Sequence, residues 1–157
     1  MEEQLIKWMQ TFVEVPHPSL GNWPPCPYAR QARLNNKVVF VESKFGNLVN
    51  TVEQSLHLLE DKDVLVIWFD HNDVDPKTLS GFVQAHNRLL MPDNYVILED
   101  HPDDLEFVSG VNMNFGLCGL LLVQKLDKLN TASAQLKVKG YYDHWDQAAL
   151  EDRKSVV

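Results

Sequence analysis

Asn94-Tyr95-Val96-Ile97-Leu98-Glu99-Asp100-His101-Pro102-Asp103-Asp104-Leu105-Glu106 changes character halfway along. Residues 95–98 are a short apolar run of β-forming residues, the pattern of a buried strand. From Glu99 onward, carboxylates, a histidine and a proline replace the apolar side chains. A strand that empties into titratable groups points to a sheet protein of the α/β kind, because ligands of such sheets bind outside the carboxyl ends of the strands.

Working outward, residues 37–42 and 64–69 repeat the apolar run. Residues 47–60 and 76–90 lie between the runs with helical periodicity. Leu48, Val49, Val52, Leu56 and Leu59 share one face in the first; Leu79, Phe82, Val83, His86, Leu89 and Leu90 share one in the second. Asp75-Pro76 supplies a capping carboxylate and a proline start. Residues 119–126 read as a fourth strand and 127–137 as a helix. The order β-α-β-α-β-β-α predicts an α/β or α+β class. A single layer of about four mixed strands would be covered by helices, in a ferredoxin-like or thioredoxin-like order. Ahead of it, Leu5, Trp8, Met9, Phe12 and Val13 form a helical stripe within residues 2–13. A proline-dense loop over 16–27 then leads to a short helix that opens near Cys26-Pro27. The chain therefore reads as one domain, with an extension at 1–36, a core at 37–138 and an aromatic tail at 139–157 holding Tyr141, Tyr142, His144 and Trp145.

The 157 residues suffice for one full core. A net charge of −8 argues against nucleic acid or an anionic membrane as the main partner, since both require a basic face. No apolar run approaches the ~20 residues of a membrane span. The first residues lack the basic and apolar regions of a secretory signal. Cys26 and Cys118 stand far apart, which fits a reduced, cytoplasmic protein better than a disulfide framework.

Two strings carry chemistry. His101 and Asp103, with Asp104 or Glu99, have the makeup of an acid–base pair or of a weak metal site. Equally, Pro102 could open a helical turn whose first residues favour acidic side chains. His101-Pro102-Asp103-Asp104 resembles the signature of the zinc-dependent N-acetylglucosaminyl deacetylase family, although there it follows the first strand and here the third. Cys26 at a helix start, with Arg30 and Arg33 one and two turns on, has the setting that favours a thiolate. Cys26-Pro27-Tyr28-Ala29 resembles the glutaredoxin Cys-Pro-Tyr-Cys motif with the resolving cysteine replaced by Ala29. Its bland alternative is a structural cysteine under the loop.

Taken together, Trp8, Cys26-Pro27-Tyr28-Ala29 and His101-Pro102-Asp103 resemble an uncharacterised bacterial domain-of-unknown-function family. That family carries a tryptophan helix, a Cys-Pro-Phe-Ala motif and a Phe-His-Pro-x-Tyr-x-Phe motif. Asp100 and Asp104 stand where it has phenylalanine and tyrosine. The resemblance implies no activity, but it implies that Cys26 and His101 belong to one site.

Other features are weaker. Lys44, in Ser43-Lys44-Phe45-Gly46-Asn47 between a strand and a helix, could help hold an anion, or the segment is an ordinary turn capped by Asn47. Residues 70–75 look calcium-like, but Val74 and Asp75 break the EF-hand pattern. His86 reads as a satisfied core histidine.

The expectation is an enzyme or binder of a small anionic ligand. Cys26, His101 and Asp103 would act at the reacting centre, and Arg30, Arg33 and Lys44 would hold the ligand. The sequence names no cofactor. The alternative is a non-catalytic interaction or assembly protein that uses its acidic surface and the C-terminal aromatics to bind a protein partner. Equally, that aromatic tail could fold back and cap the core.

Overall fold

The computed structural model describes residues 1–156, with side chains described through residue 152. The apolar runs become β1 (Val38–Glu42), β2 (Val64–Phe69) and β3 (Tyr95–Asp100). A two-stranded hairpin follows, β4 (Phe107–Val108) and β5 (Val111–Asn112), and then β6 (Gly119–Lys125). The main sheet has the order β1-β2-β6-β3. β1 and β2 are parallel, and β6 runs antiparallel between β2 and β3. β1, β2 and β3 therefore point the same way and bring their carboxyl ends to one edge. The class is α+β, with a mixed four-stranded sheet covered by helices.

Period-two alternation divides each continuous run between two cores. Val39, Val41, Leu65, Ile67, Phe69, Ile97, Leu121 and Val123 face α3 (Leu48–Ser55) and α4 (Pro76–Leu90). Val38, Phe40, Val66, Trp68, Leu120 and Leu122 face the other way. They pack on Leu5 and Trp8 of α1 (Glu2–Trp8) and on Phe115 and Cys118. Asp75 caps α4 as its sequence suggests, its carboxylate accepting the Thr78 N–H at 2.8 Å.

α1 is shorter than the 2–13 stripe. Met9–Val13 continues it with a wider turn in which Glu14 N–H donates to Met9 C=O. α2 (Ala29–Leu34) is also short, beginning three residues after Cys26 with Tyr28 at its cap. α5 (Leu126–Val138) follows β6 directly, and α6 (Gln147–Val156) ends the described chain.

The aromatic tail is not a free surface. Tyr141 is buried, meets Trp23 edge-on and donates its hydroxyl to Pro25 C=O. Trp145 joins a small third core with Leu20, Phe12, Val108, Val111 and Met113. Gly21, at φ +66°, lies so near the His144 ring that a Cβ there would meet it at 2.2 Å. The tail folds back because its rings have apolar partners waiting in the proline-rich loop and the hairpin. Among the described residues, no helix is long and apolar enough to cross a membrane.

Candidate functional site

The carboxyl edge of the sheet is built from the turn after β1, the 70–75 segment after β2 and the 101–118 lobe after β3. His101 sits at its centre and is 3% exposed. Asp103 N–H donates to its Nδ1 at 3.1 Å, which places the ring proton on Nε2. Nε2–H then donates to Val74 C=O at 2.7 Å and to His71 C=O at 3.2 Å. The His71 ring meets it edge-on, with centroids 5.8 Å apart. Both ring nitrogens are thus used by backbone. This histidine pins the loop after β2 to the loop after β3, and it presents no lone pair to a substrate.

Asp100 is buried beside it. Its carboxylate accepts Phe115 N–H at 3.0 Å and the Asn114 amide at 2.8 Å. Burial pushes its pKa up, against the pull of those two donors. Asn114 organises the lobe. Its NH2 group also reaches His101 C=O and Asp104 C=O, and its Oδ1 accepts Glu106 N–H at 2.7 Å. No sequence signal marked Asn114 or His71 as part of this edge; both contacts depend on how the lobe folds back.

The rest of the edge is acidic. Burial, then the nearby Asp104, raises the Glu99 pKa, while a bond from Ser80 lowers it. Desolvation raises the Glu106 carboxyl to about 7, and Asp100, Asp152, Asp104 and Glu99 add to the effect. Glu106 is exposed at the surface, so water screens part of that repulsion. Asp103 and Asp104 are exposed. Among the described residues, no group of three or more His, Cys, Asp or Glu side chains has the geometry to hold a metal ion. The weak metal reading of His101, Asp103 and Asp104 therefore gains no support from their arrangement.

The remaining sequence candidates lie elsewhere. Cys26 is exposed, and its N–H donates to Val13 C=O at the end of the N-terminal helix, which covers the opposite face of the sheet. Its thiol pKa is raised rather than lowered. Desolvation of the sulfur outweighs two backbone N–H bonds from Tyr28 and Ala29, and the Glu14 carboxylate adds to the rise. Surface exposure and sulfur desolvation pull against each other here, and neither makes a preformed thiolate.

Arg33 is committed to Glu14 in a bidentate pair, with N–O distances of 2.7 and 2.8 Å. Arg30 is exposed on the same short helix. Lys44 is exposed at the carboxyl edge. Its turn closes on itself through Asn47 N–H to Lys44 C=O, and Asn47 begins α3 without a side-chain cap. The structure brings His101, Asp103 and Lys44 to one edge and leaves Cys26, Arg30 and Arg33 with the N-terminal helices. Among the described residues, no hydrogen bond, ion pair or ring contact joins Cys26 to His101. His86, by contrast, is satisfied as its position on an apolar face suggests: Nδ1 bonds Phe82 C=O at 2.9 Å.

Two features at the carboxyl edge could meet a partner. One is an open groove of about 500 Å³ along α4, lined by Pro76, Lys77, Ser80, Gly81, Gln84 and Asp104. The other is the outer side of the lobe, where Leu105 and Phe107 are 59% and 51% exposed. Comparison with protein-family models, with curated proteins and with solved structures finds no match. The likenesses carried by Cys26-Pro27-Tyr28-Ala29 and His101-Pro102-Asp103-Asp104 therefore rest on those residues alone.

Proposed function

We propose that the protein acts by binding another protein, through the outer side of the 101–118 lobe, and not by catalysis. The observation that carries this reading is the pair Leu105 and Phe107. Alternate residues of an extended segment share a side. Here Val108 turns inward to the third core while Leu105 and Phe107 stand in water. Asp104 and Glu106 adjoin the apolar pair in sequence, and Glu99, Asp104 and Asp152 lie close enough to Glu106 to raise its pKa, so carboxylates stand beside the pair. An apolar centre with a charged rim is the anatomy of a transient interface. The matching partner carries an apolar pocket ringed by Lys or Arg. Against catalysis stand the engaged nitrogens of His101, the raised Cys26 thiol and the pairing of Arg33 with Glu14.

The test is affinity capture from the native source with the wild-type chain and with Leu105→Ser/Phe107→Ser. A stoichiometric basic partner, weakened by salt and lost with the double variant, is expected, while Cys26→Ser and His101→Gln retain it. Capture that is indifferent to both exposed residues overturns the reading.

A second reading is favoured by the groove along α4. Lys77 at the helix start suits a small anionic ligand, and calorimetric titration with inorganic phosphate against Lys77→Ala tests it.

A further inference from the structure

The two outer strands of the main sheet are treated differently. At β3, the Asn87 side chain from α4 imitates a neighbouring strand: Ile97 N–H donates to its Oδ1 at 2.8 Å, and its Nδ2 donates to Ile97 C=O at 3.0 Å. That edge is closed in the middle. At β1 nothing comparable occurs.

Ser43 N–H donates to Trp68 C=O, and Val64 N–H donates to Lys37 C=O. In a parallel pair these bonds show that residues 37, 39, 41 and 43 direct their main-chain groups at β2. Val38, Phe40 and Glu42 therefore turn their N–H and C=O groups outward. The strand has no proline, no lysine within it and no side-chain clip on its outward groups, and Glu42 at its end is its single charge. Val38, Val39, Phe40 and Val41 are all only partly buried, whereas Leu65, Val66 and Ile67 of β2 are buried. Leu34 and Val49, on the chain to either side, are also exposed, at 59% and 39%.

We infer that β1 is a dimerisation edge and that its occupant is β1 of a second copy, paired antiparallel about a two-fold axis at Phe40. The strand is self-complementary about that residue. A two-fold axis perpendicular to the sheet sets Phe40 opposite Phe40, Val39 opposite Val41 and Val38 opposite Glu42 of the second copy. Aromatic meets aromatic and β-branched meets β-branched, the pairs that stabilise antiparallel ladders, and no like charges oppose. This register joins outward-facing residues to outward-facing residues. The three bonded pairs 38–42, 40–40 and 42–38 exchange two bonds each, about six main-chain hydrogen bonds in all. The result is an isologous contact that makes one continuous eight-stranded sheet from two four-stranded ones. It involves neither the 101–118 lobe nor the groove along α4.

Sedimentation equilibrium of the full chain at micromolar concentration is expected to give twice the 18.0 kDa chain mass. Glu42→Pro deletes one outward N–H from each copy, touches no bond to β2 and alters an exposed side chain. It is expected to raise the dissociation constant about tenfold or more with unchanged circular dichroism. In a Cys26→Ser background, Phe40→Cys should cross-link to a dimer on mild oxidation, because directly opposed bonded residues have Cα atoms ~5.5 Å apart, within disulfide reach. Val39→Cys should not. A monomer at all concentrations overturns the inference. So does a dimer that is insensitive to Glu42→Pro and fails to cross-link at position 40.

Discussion

His101→Phe separates a structural histidine from a catalytic one. The ring is retained, so little packing is lost, but three hydrogen bonds disappear. Their costs differ. Asp103 is exposed, so water replaces the ring as partner of its N–H. His71 C=O loses only the longer branch of a shared bond. Val74 is 7% exposed and its bond to Nε2 is buried, so its carbonyl is left without a partner once Nε2 is gone. An orphaned buried acceptor costs ~1–3 kcal/mol, and the two weaker losses bring the sum to about 2–4 kcal/mol. For a domain of this size that is a fall in Tm of roughly 5–15 °C. His101→Gln keeps an amide donor near the Nε2 position and should recover about half. Thermal and urea unfolding followed by circular dichroism at pH 7 measure both. If His101→Phe unfolds within about 0.5 kcal/mol of wild type, the ring is no pin and its nitrogens were free for chemistry after all. A glutamine variant no better than the phenylalanine one would also refute the bond-by-bond account.

Asn87→Ala removes the clip on β3. Ile97, 1% exposed, then carries an unpaired N–H and C=O, a loss of about 2–4 kcal/mol. Light scattering during urea refolding should rise with it, as a second open edge appears; equal stability and scattering would show the clip to be incidental. Glu14→Gln breaks the bidentate pair with Arg33 and should lower Tm by less than His101→Phe does, because the guanidinium still reaches water. Arg33→Lys should not substitute for it, since an ammonium cannot make the fork. Glu106 ties stability to pH. Its ordinary value of 4.5 is raised to about 7 in the fold, so the unfolded chain releases this proton first. Stability is therefore fully present below about pH 4.5 and is lost as pH rises through 7. Wild type and Glu106→Gln should melt alike at low pH and diverge above neutrality with the variant more stable; parallel profiles would contradict this.

The core was legible because its signals are local. Apolar runs at 64–69 and 95–98 and the Asp75-Pro76 start lie within a few residues of the elements they specify. Strand order was not legible, since nothing in residues 119–125 says that β6 inserts between β2 and β3. The site was less legible for a related reason. Cys26 and His101 each sit in a suggestive string, but a string carries no information about which face of the sheet it will occupy. The raised Cys26 thiol shows the same limit: a helix start favours thiolate, yet the helix here begins three residues late and has six residues, and the sulfur's surroundings outweigh it. The tail left two readings open, an interaction surface or a cap on the core, and the packing of Tyr141 and Trp145 on Trp23, Leu20 and the hairpin decides for the cap.

The carboxyl edge of an open sheet is ordinarily where a ligand sits, because loops diverge there and leave a crevice. In this chain the crevice is filled by the chain itself. Asp100 takes the Phe115 N–H, Asn114 spreads its amide over three oxygens, and His101 ties the neighbouring loop. Ser109 adds a bond from its hydroxyl to His144 C=O and one from its N–H to Asp146, which fastens the hairpin turn to the tail. So much bonding within the lobe makes sense if the lobe's outer side is what matters. Holding Leu105 and Phe107 on a braced segment lowers the ordering cost that a flexible loop would meet on association. The same bracing explains why carboxylates are tolerated so close together: the fold holds Glu99, Asp104 and Glu106 near one another, and a basic partner would relieve the repulsion that the free protein carries.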